Sequence, residues 1–233
     1  MQHTSLPMVQ VNGIDLHYFA AGEGSPVILL HGNGEDHTLF GTQIRQLTEA
    51  GCRVYAPDSR GHGANAPQTE FHYAEMAEDI FQFIQALGLE RPALYGHSDG
   101  GILALLLALN HPGVLGLMAI SGTNLSPQGL QPGFLAECEA ENAKAVNPLI
   151  TLMLNEPHID PADLRRIDIP VLVTVGEHDL ILPEETVRIA ANLPHAETVT
   201  VPGADHGSYI VGSPVMGEML LDFLRRHGYA ANR

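Results

Sequence analysis

The sequence predicts an α/β fold: a mostly parallel eight-stranded sheet, opened by an antiparallel hairpin and covered by helices on both faces. Two observations predict it. Short apolar runs at 26–30, 52–56, 92–95, 114–120, 170–175 and 197–201 have the length and composition of strands buried on both sides. Between most of them lie segments with the 3.6-residue period of amphipathic helices. Strands alternating with helices close into right-handed crossovers on an open sheet.

The hairpin comes first. Segments 9–11 and 14–19 flank Asn12-Gly13, the favoured pair for a two-residue turn. Leu39, Phe40, Ile44 and Leu47 then share one helical face. Ala77, Ile80, Phe81, Ile84 and Leu87 share another, ending at Gly88, which can cap a helix in the left-handed conformation. Segment 102–109 is apolar all round, so its helix should lie against the sheet. Segment 126–167 breaks the alternation with proline punctuation and two short helical patterns near 134–145 and 148–154. That is too long for an ordinary connection. It is read as a small helical lid inserted into a core of 1–125 and 168–233.

A formal charge of −16 at pH 7 repels phosphate backbones and anionic lipid, so neither nucleic acid nor membrane is an expected partner. Two cysteines, Cys52 and Cys138, make no disulfide framework and read as reduced structural residues. Residues 1–10 show no basic segment followed by an apolar one, and 102–109 is far too short to span a bilayer. The expectation is a cytoplasmic protein, with monomer and homodimer both open.

The chemistry sits where such sheets bind ligands, at the carboxyl ends of the strands. Gly96-His97-Ser98-Asp99-Gly100 fits G-x-S-x-G between a strand and a buried helix. The chain must turn so sharply there that glycines flank the serine, and the hydroxyl emerges at the helix N-terminus. A serine needs a base oriented by an acid, and on this fold the order is serine, acid, histidine. Asp179 follows the run 170–175, and His206 follows the run 197–201. Position selects them. His3, His72, His111, His158, His195 and His227, among 13 histidines, read as surface or terminal. His178 precedes the last strand; Glu177 and Asp205 compete for the acid role, and Asn124 cannot carry charge. The tetrahedral intermediate needs two backbone donors. Asp99 supplies one, and the loop His31-Gly32-Asn33-Gly34 the other, with Asn33 the first candidate and Gly34 the second. His31 is expected to brace that loop.

Together with Asp58-Ser59-Arg60-Gly61-His62-Gly63 and Gly203-Ala204-Asp205-His206, these motifs resemble the α/β-hydrolase superfamily, its serine-nucleophile, esterase- or lipase-like branch, over nearly the whole chain. The resemblance implies a hydrolase without cofactor or metal, acting with water on a small acyl compound. A carboxylic ester comes first; thioester, lactone, peptide and C–C bonds are alternatives on the same triad. It also implies that the Asp58–His62 turn is scaffold. The lid is short beside the caps of many relatives, so the pocket should be small or open, with Leu125, Phe134, Leu149, Met153, Ile181 and Tyr209 as candidate lining.

Rival readings fare worse. An aspartate nucleophile at Asp99 would put His97 where the first glycine belongs. No H-E-x-x-H and no G-x-G-x-x-G after a strand is present. A non-catalytic binding protein of this fold would commonly lose a triad member, and all three are here.

Overall fold

A computed structural model describes residues 6–230; residues 1–5, with His3, and 231–233 lie outside the described residues. Eight strands form one sheet in the order β1-β2-β4-β3-β5-β6-β7-β8. β1 (Met8–Val11) and β2 (Ile14–Ala21) are the antiparallel hairpin, and β2 pairs antiparallel with β4 (Cys52–Pro57). Asn12 and Gly13 carry φ of 43° and 80°, the left-handed pair that a tight hairpin turn requires. β3 (Ser25–Leu30), β4, β5 (Ala93–His97), β6 (Leu117–Ser121), β7 (Val171–Gly176) and β8 (Ala196–Val201) are mutually parallel. β6 starts three residues later than its apolar run, because Gly113 at φ 82° and the Val114 N–H, bonded to the His111 carbonyl, spend 113–114 on a turn.

The period-2 alternation of the strands divides the core. Val27, Leu29, Ala93, Tyr95, Leu117, Ala119 and Leu172 face α1 (Gly41–Glu49) and α7 (Val215–Arg226). Ile28, Leu30, Leu94, Met118, Ile120, Val171 and Val173 face α2 (Tyr73–Ala86), α3 (Asp99–Asn110) and α6 (Pro183–Asn192). α3 is buried nearly throughout, as a helix without a polar face must be. α2 ends as expected: Gly88 has φ 61°, its N–H bonds to Gln85, and the Leu89 N–H reaches back to Ile84. Segment 126–167 contains α4 (Pro132–Lys144), α5 (Pro148–Asn155) and a last turn at Pro161–Arg166.

From β3 the chain passes to β4 on one side, then returns to β5 on the other. The loops leaving β3 and β5 therefore part in opposite directions and leave a crevice at the carboxyl ends of the strands.

Candidate active site

Ser98 stands on the β5–α3 turn with φ 53° and ψ −118°, outside the regions that non-glycine residues favour. The turn is held at both ends. The Ser98 N–H bonds to the Ser121 carbonyl at 2.8 Å, and the Gly101 N–H bonds to the Ser98 carbonyl at 2.9 Å. Glycine is required around it: a Cβ at Gly96 would strike the Gly100 backbone, and one at Gly100 the Leu30 carbonyl. Strain of this kind costs about 1–3 kcal/mol. Ser98→Gly is accordingly expected to raise unfolding stability by about 1 kcal/mol, because glycine accepts the conformation although it loses more chain entropy. An unchanged or lower denaturant midpoint at constant m-value would show that the turn stores no strain.

His206 and Asp179 meet in loops from different strands. His206 Nδ1 lies 2.6 Å from Asp179 Oδ1, and the carboxylate accepts the Gly176 and Ile181 N–H groups, each at 3.1 Å. Burial alone would push the Asp179 carboxyl up. The hydrogen bond and charge of His206, with the two N–H groups, outweigh it and hold Asp179 below its ordinary value. A bond to a carboxylate puts the proton on Nδ1 and leaves Nε2 as acceptor. Gly122 makes room for the pair, since a Cβ there would lie 2.7 Å from His206 Cε1. His206 and Ser98 border one cavity of about 170 Å³. His178, Glu177 and Asp205 stand apart from the pair: the Glu177 carboxylate accepts the Gly203 N–H, and that of Asp205 the Gly207 and Ser208 N–H groups.

The β3 loop is braced from three sides. His31 Nδ1 bonds to the Gly32 carbonyl, and its Nε2 accepts the Ser59 N–H. The Gly34 N–H is taken by His62 Nε2 at 3.1 Å, and the Gly32 N–H by Glu35 Oε2 at 2.8 Å. Among the described residues, the Asn33 and Asp99 N–H groups have no acceptor. Of the two loop candidates, Gly34 is thus committed and Asn33 open. The Asn33 amide bonds to Asp99 Oδ2 at 3.0 Å and to the Leu149 carbonyl at 3.3 Å. The Asp58 turn is an internal lattice: Asp58 accepts the His37 and Ala64 N–H groups, and Arg60 forks onto Asp79 at 2.6 and 2.7 Å.

Burial lowers His31 to about 4 and His97, whose ring lies 4.8 Å from His206, to about 3. Both stay neutral in the folded chain at pH values where an unfolded histidine charges, near 6.5. The unfolded state therefore binds more protons below that pH, and the folded state should lose stability as pH falls from about 6.5 to 4. A melting temperature flat over that interval would refute this. His31→Gln should flatten the slope in part.

Of the expected lining, Phe134 from α4 and Met153 from α5 reach the cavity. Leu125, Ile181 and Tyr209 do not; they are core residues, and Leu149 packs at the core's edge. Asn124 and Leu180 border the cavity instead of Leu125 and Ile181. Tyr209 falls on the sheet face that packs on α7. Glu35, Tyr73 and Glu156 also line the cavity. Glu35 had a signal, three residues beyond Gly32, at the spacing where a side chain folds back onto a backbone N–H. Tyr73 had none, because its place depends on how α2 docks.

A serine on a tight strand-to-helix turn, set at the switch point of a parallel sheet, defines the α/β hydrolases as a class. This chain belongs to that family: residues 25–148 match the family described as alpha/beta hydrolase fold, and 142–231 match the TAP-like protein family. It is 32% identical, over 90% of its length and 94% of the relative's, to a putative carbamate hydrolase, RutD, of Caulobacter sp. (strain K31). It is 38% identical to the human serine hydrolase BPHL over 50% of this chain and 42% of that one. Among solved structures, an esterase from Exiguobacterium antarcticum superposes with a TM-score of 0.82 at 22% identity, covering 94% and 98% of the two chains. An enol-lactonase from Burkholderia xenovorans superposes at 0.78 and 21% identity, covering 94% and 100%.

Proposed function

We propose that this α/β hydrolase cleaves a small carboxylic ester, or a related acyl compound, through an acyl-enzyme on Ser98. The observation that carries the reading is the 2.6 Å bond between His206 and Asp179 at the wall of the cavity that Ser98 borders. His206 Nε2 takes the Ser98 proton as Oγ attacks the acyl carbon, and Asp179 holds the ring and favours the imidazolium. The oxygen of the tetrahedral intermediate falls to the Asn33 and Asp99 N–H groups, the latter at the start of α3, where the helix dipole adds to them. The imidazolium then protonates the leaving group. Water repeats the sequence and frees the acid.

A carbamate, the substrate class in the name of the 32%-identical relative, places the same demand on the same groups and is the second reading. No helix among the described residues is long and apolar enough to cross a membrane. A cytoplasmic enzyme acting on a small molecule, with 126–167 as lid, fits that and the acidic surface.

The test is labelling by a fluorophosphonate, mapped by peptide mass to Ser98, beside turnover of an ester, thioester, lactone and carbamate panel. Label on another residue, with no turnover, sinks the reading. The small cavity between Phe134 and Met153 gives a long acyl chain little wall, and each unburied methylene forfeits about 0.8 kcal/mol. kcat/KM is expected to peak at short acyl esters. A steady rise to long chains would reveal a channel beneath α4 and α5.

A further inference from the structure

The loop of His206, residues 202–213 between β8 and α7, is held on both sides of the imidazole, and by different means. Before His206, the Ala204 carbonyl accepts the His178 N–H at 2.8 Å and the Gly203 N–H bonds to Glu177 Oε2 at 2.7 Å. That side is thereby fixed to the loop of Asp179. After His206 the chain folds into a turn in which the Ile210 and Val211 N–H groups share the Gly207 carbonyl. A side chain from α1 fastens this turn. Gln43 Nε2 donates to the Ile210 carbonyl at 2.8 Å and to the Ser213 carbonyl at 3.1 Å.

Gln43 and Leu47, one helical turn apart, are the buried residues of α1, and Gln43 is 0% exposed. Among the described residues its Oε1 has no partner. A buried acceptor without a donor lowers stability, so packing alone favours an apolar side chain at this position. Both bonds that the amide makes go to the loop of His206. Gln46 makes the comparison. Its Nε2 bonds to the Pro214 carbonyl at 3.2 Å, in an exposed contact at the start of α7, beyond the loop.

The Asp179 bond fixes the His206 ring at Nδ1, but one bond leaves the ring free to swing about the carboxylate. A base is held to its geometry by the groups that lock its surroundings. Resting on the hydrolase reading above, we infer that Gln43 is a positioning residue: by pinning the backbone after His206, it holds the imidazole at the Ser98 hydroxyl. It touches neither substrate nor reacting atoms. The same helix follows the β3 loop of Asn33, so α1 ties the donor loop to the loop of the base. Proton transfer is sensitive to such placement, since an error of about 1 Å can cost about 10²-fold.

Gln43→Met keeps the length of the side chain and deletes the donor. On the best-cleaved ester, kcat should fall about tenfold with KM within about twofold of wild type, because the base is displaced and the cavity is not. The fluorophosphonate labelling rate should fall alongside. The His206 Nδ1 proton, held in a short bond to Asp179, gives a low-field proton resonance that should shift or broaden. Gln46→Leu, which loosens α1 from α7 outside the loop, should leave all three as in wild type. A folded Gln43→Met with wild-type kcat and an unmoved resonance overturns the inference. An equal loss in Gln46→Leu also overturns it, by assigning the effect to general loosening of α1. So does a raised KM at unchanged kcat, which would place the effect in the cavity. Should Gln43→Met not fold, Gln43→Asn is measured in its place with the same outcomes: it keeps a polar amide but ends a methylene short of both carbonyls. If wild type neither labels nor cleaves any ester, the hydrolase reading fails, and the resonance alone decides whether Gln43 holds the His206–Asp179 pair. If wild type is active and Gln43→Met matches it, the role of Gln43 fails and the hydrolase reading stands.

Discussion

Ser98→Ala is expected to lower kcat on any substrate of this enzyme by about 10³ or more, and to abolish labelling by a fluorophosphonate. On the proposed mechanism, removing Oγ removes the atom that would form the acyl-enzyme and leaves water attack, assisted by the Asn33 and Asp99 N–H groups and by binding. The fold should not respond. Alanine keeps the Cβ that the turn already accommodates at φ 53°, and the Ser98 N–H still reaches Ser121. A folded Ser98→Ala that labels at the wild-type rate would remove this serine from the mechanism.

The second large effect is expected at Asn33, and it separates the backbone of that residue from its side chain. Asn33→Pro deletes the N–H that stands open in the β3 loop, and loss of one oxyanion donor typically costs about 10² to 10³ in kcat. Asn33→Ala keeps the N–H but releases the amide from Asp99 and from the Leu149 carbonyl, leaving the buried Asp99 carboxylate one donor short. That variant should lose about tenfold, through placement of the loop. Proline can also disturb the loop itself, so the variant must be folded by circular dichroism and still labelled, slowly, at Ser98. Gly34→Pro is the control. Its N–H is bound to His62, and losing it should cost less than the loss at Asn33. A folded Asn33→Pro with near-wild-type kcat would assign the second donor elsewhere.

What could be read in the sequence is what local backbone preference, periodicity and strand order determine. The hairpin turn at Asn12-Gly13, the helix stop at Gly88 and the buried α3 each follow from local backbone preference or periodicity, and the structure has all three. Asp179 and His206 meet because each lies in a loop that follows a strand, and the sheet sets those strand ends side by side. The cavity wall was less legible. Leu125 and Ile181 turn into the core while their neighbours Asn124 and Leu180 border the cavity, a choice made by loop geometry that residue type does not encode. Glu35 looks like a solvent-facing loop acid until the fold of the loop brings its carboxylate back onto Gly32. The place of Tyr73 follows only from the packing of α2 against α3.

The switch between β3 and β5 has a consequence for how the site fails. Ser98 and Asn33 follow strands locked together along Val27–Leu30 and Ala93–Gly96 in the middle of the sheet, under helices on both faces. His206 follows β8, the last strand, which has a single neighbour and side chains largely open to water. Local opening free energies fall from the centre of a fold to its margins. The candidate machinery thus hangs on strands of unequal protection. Heat or denaturant is therefore expected to loosen the His206 loop before the strands that carry Ser98 and Asn33, so that activity is lost while the centre of the sheet is still folded.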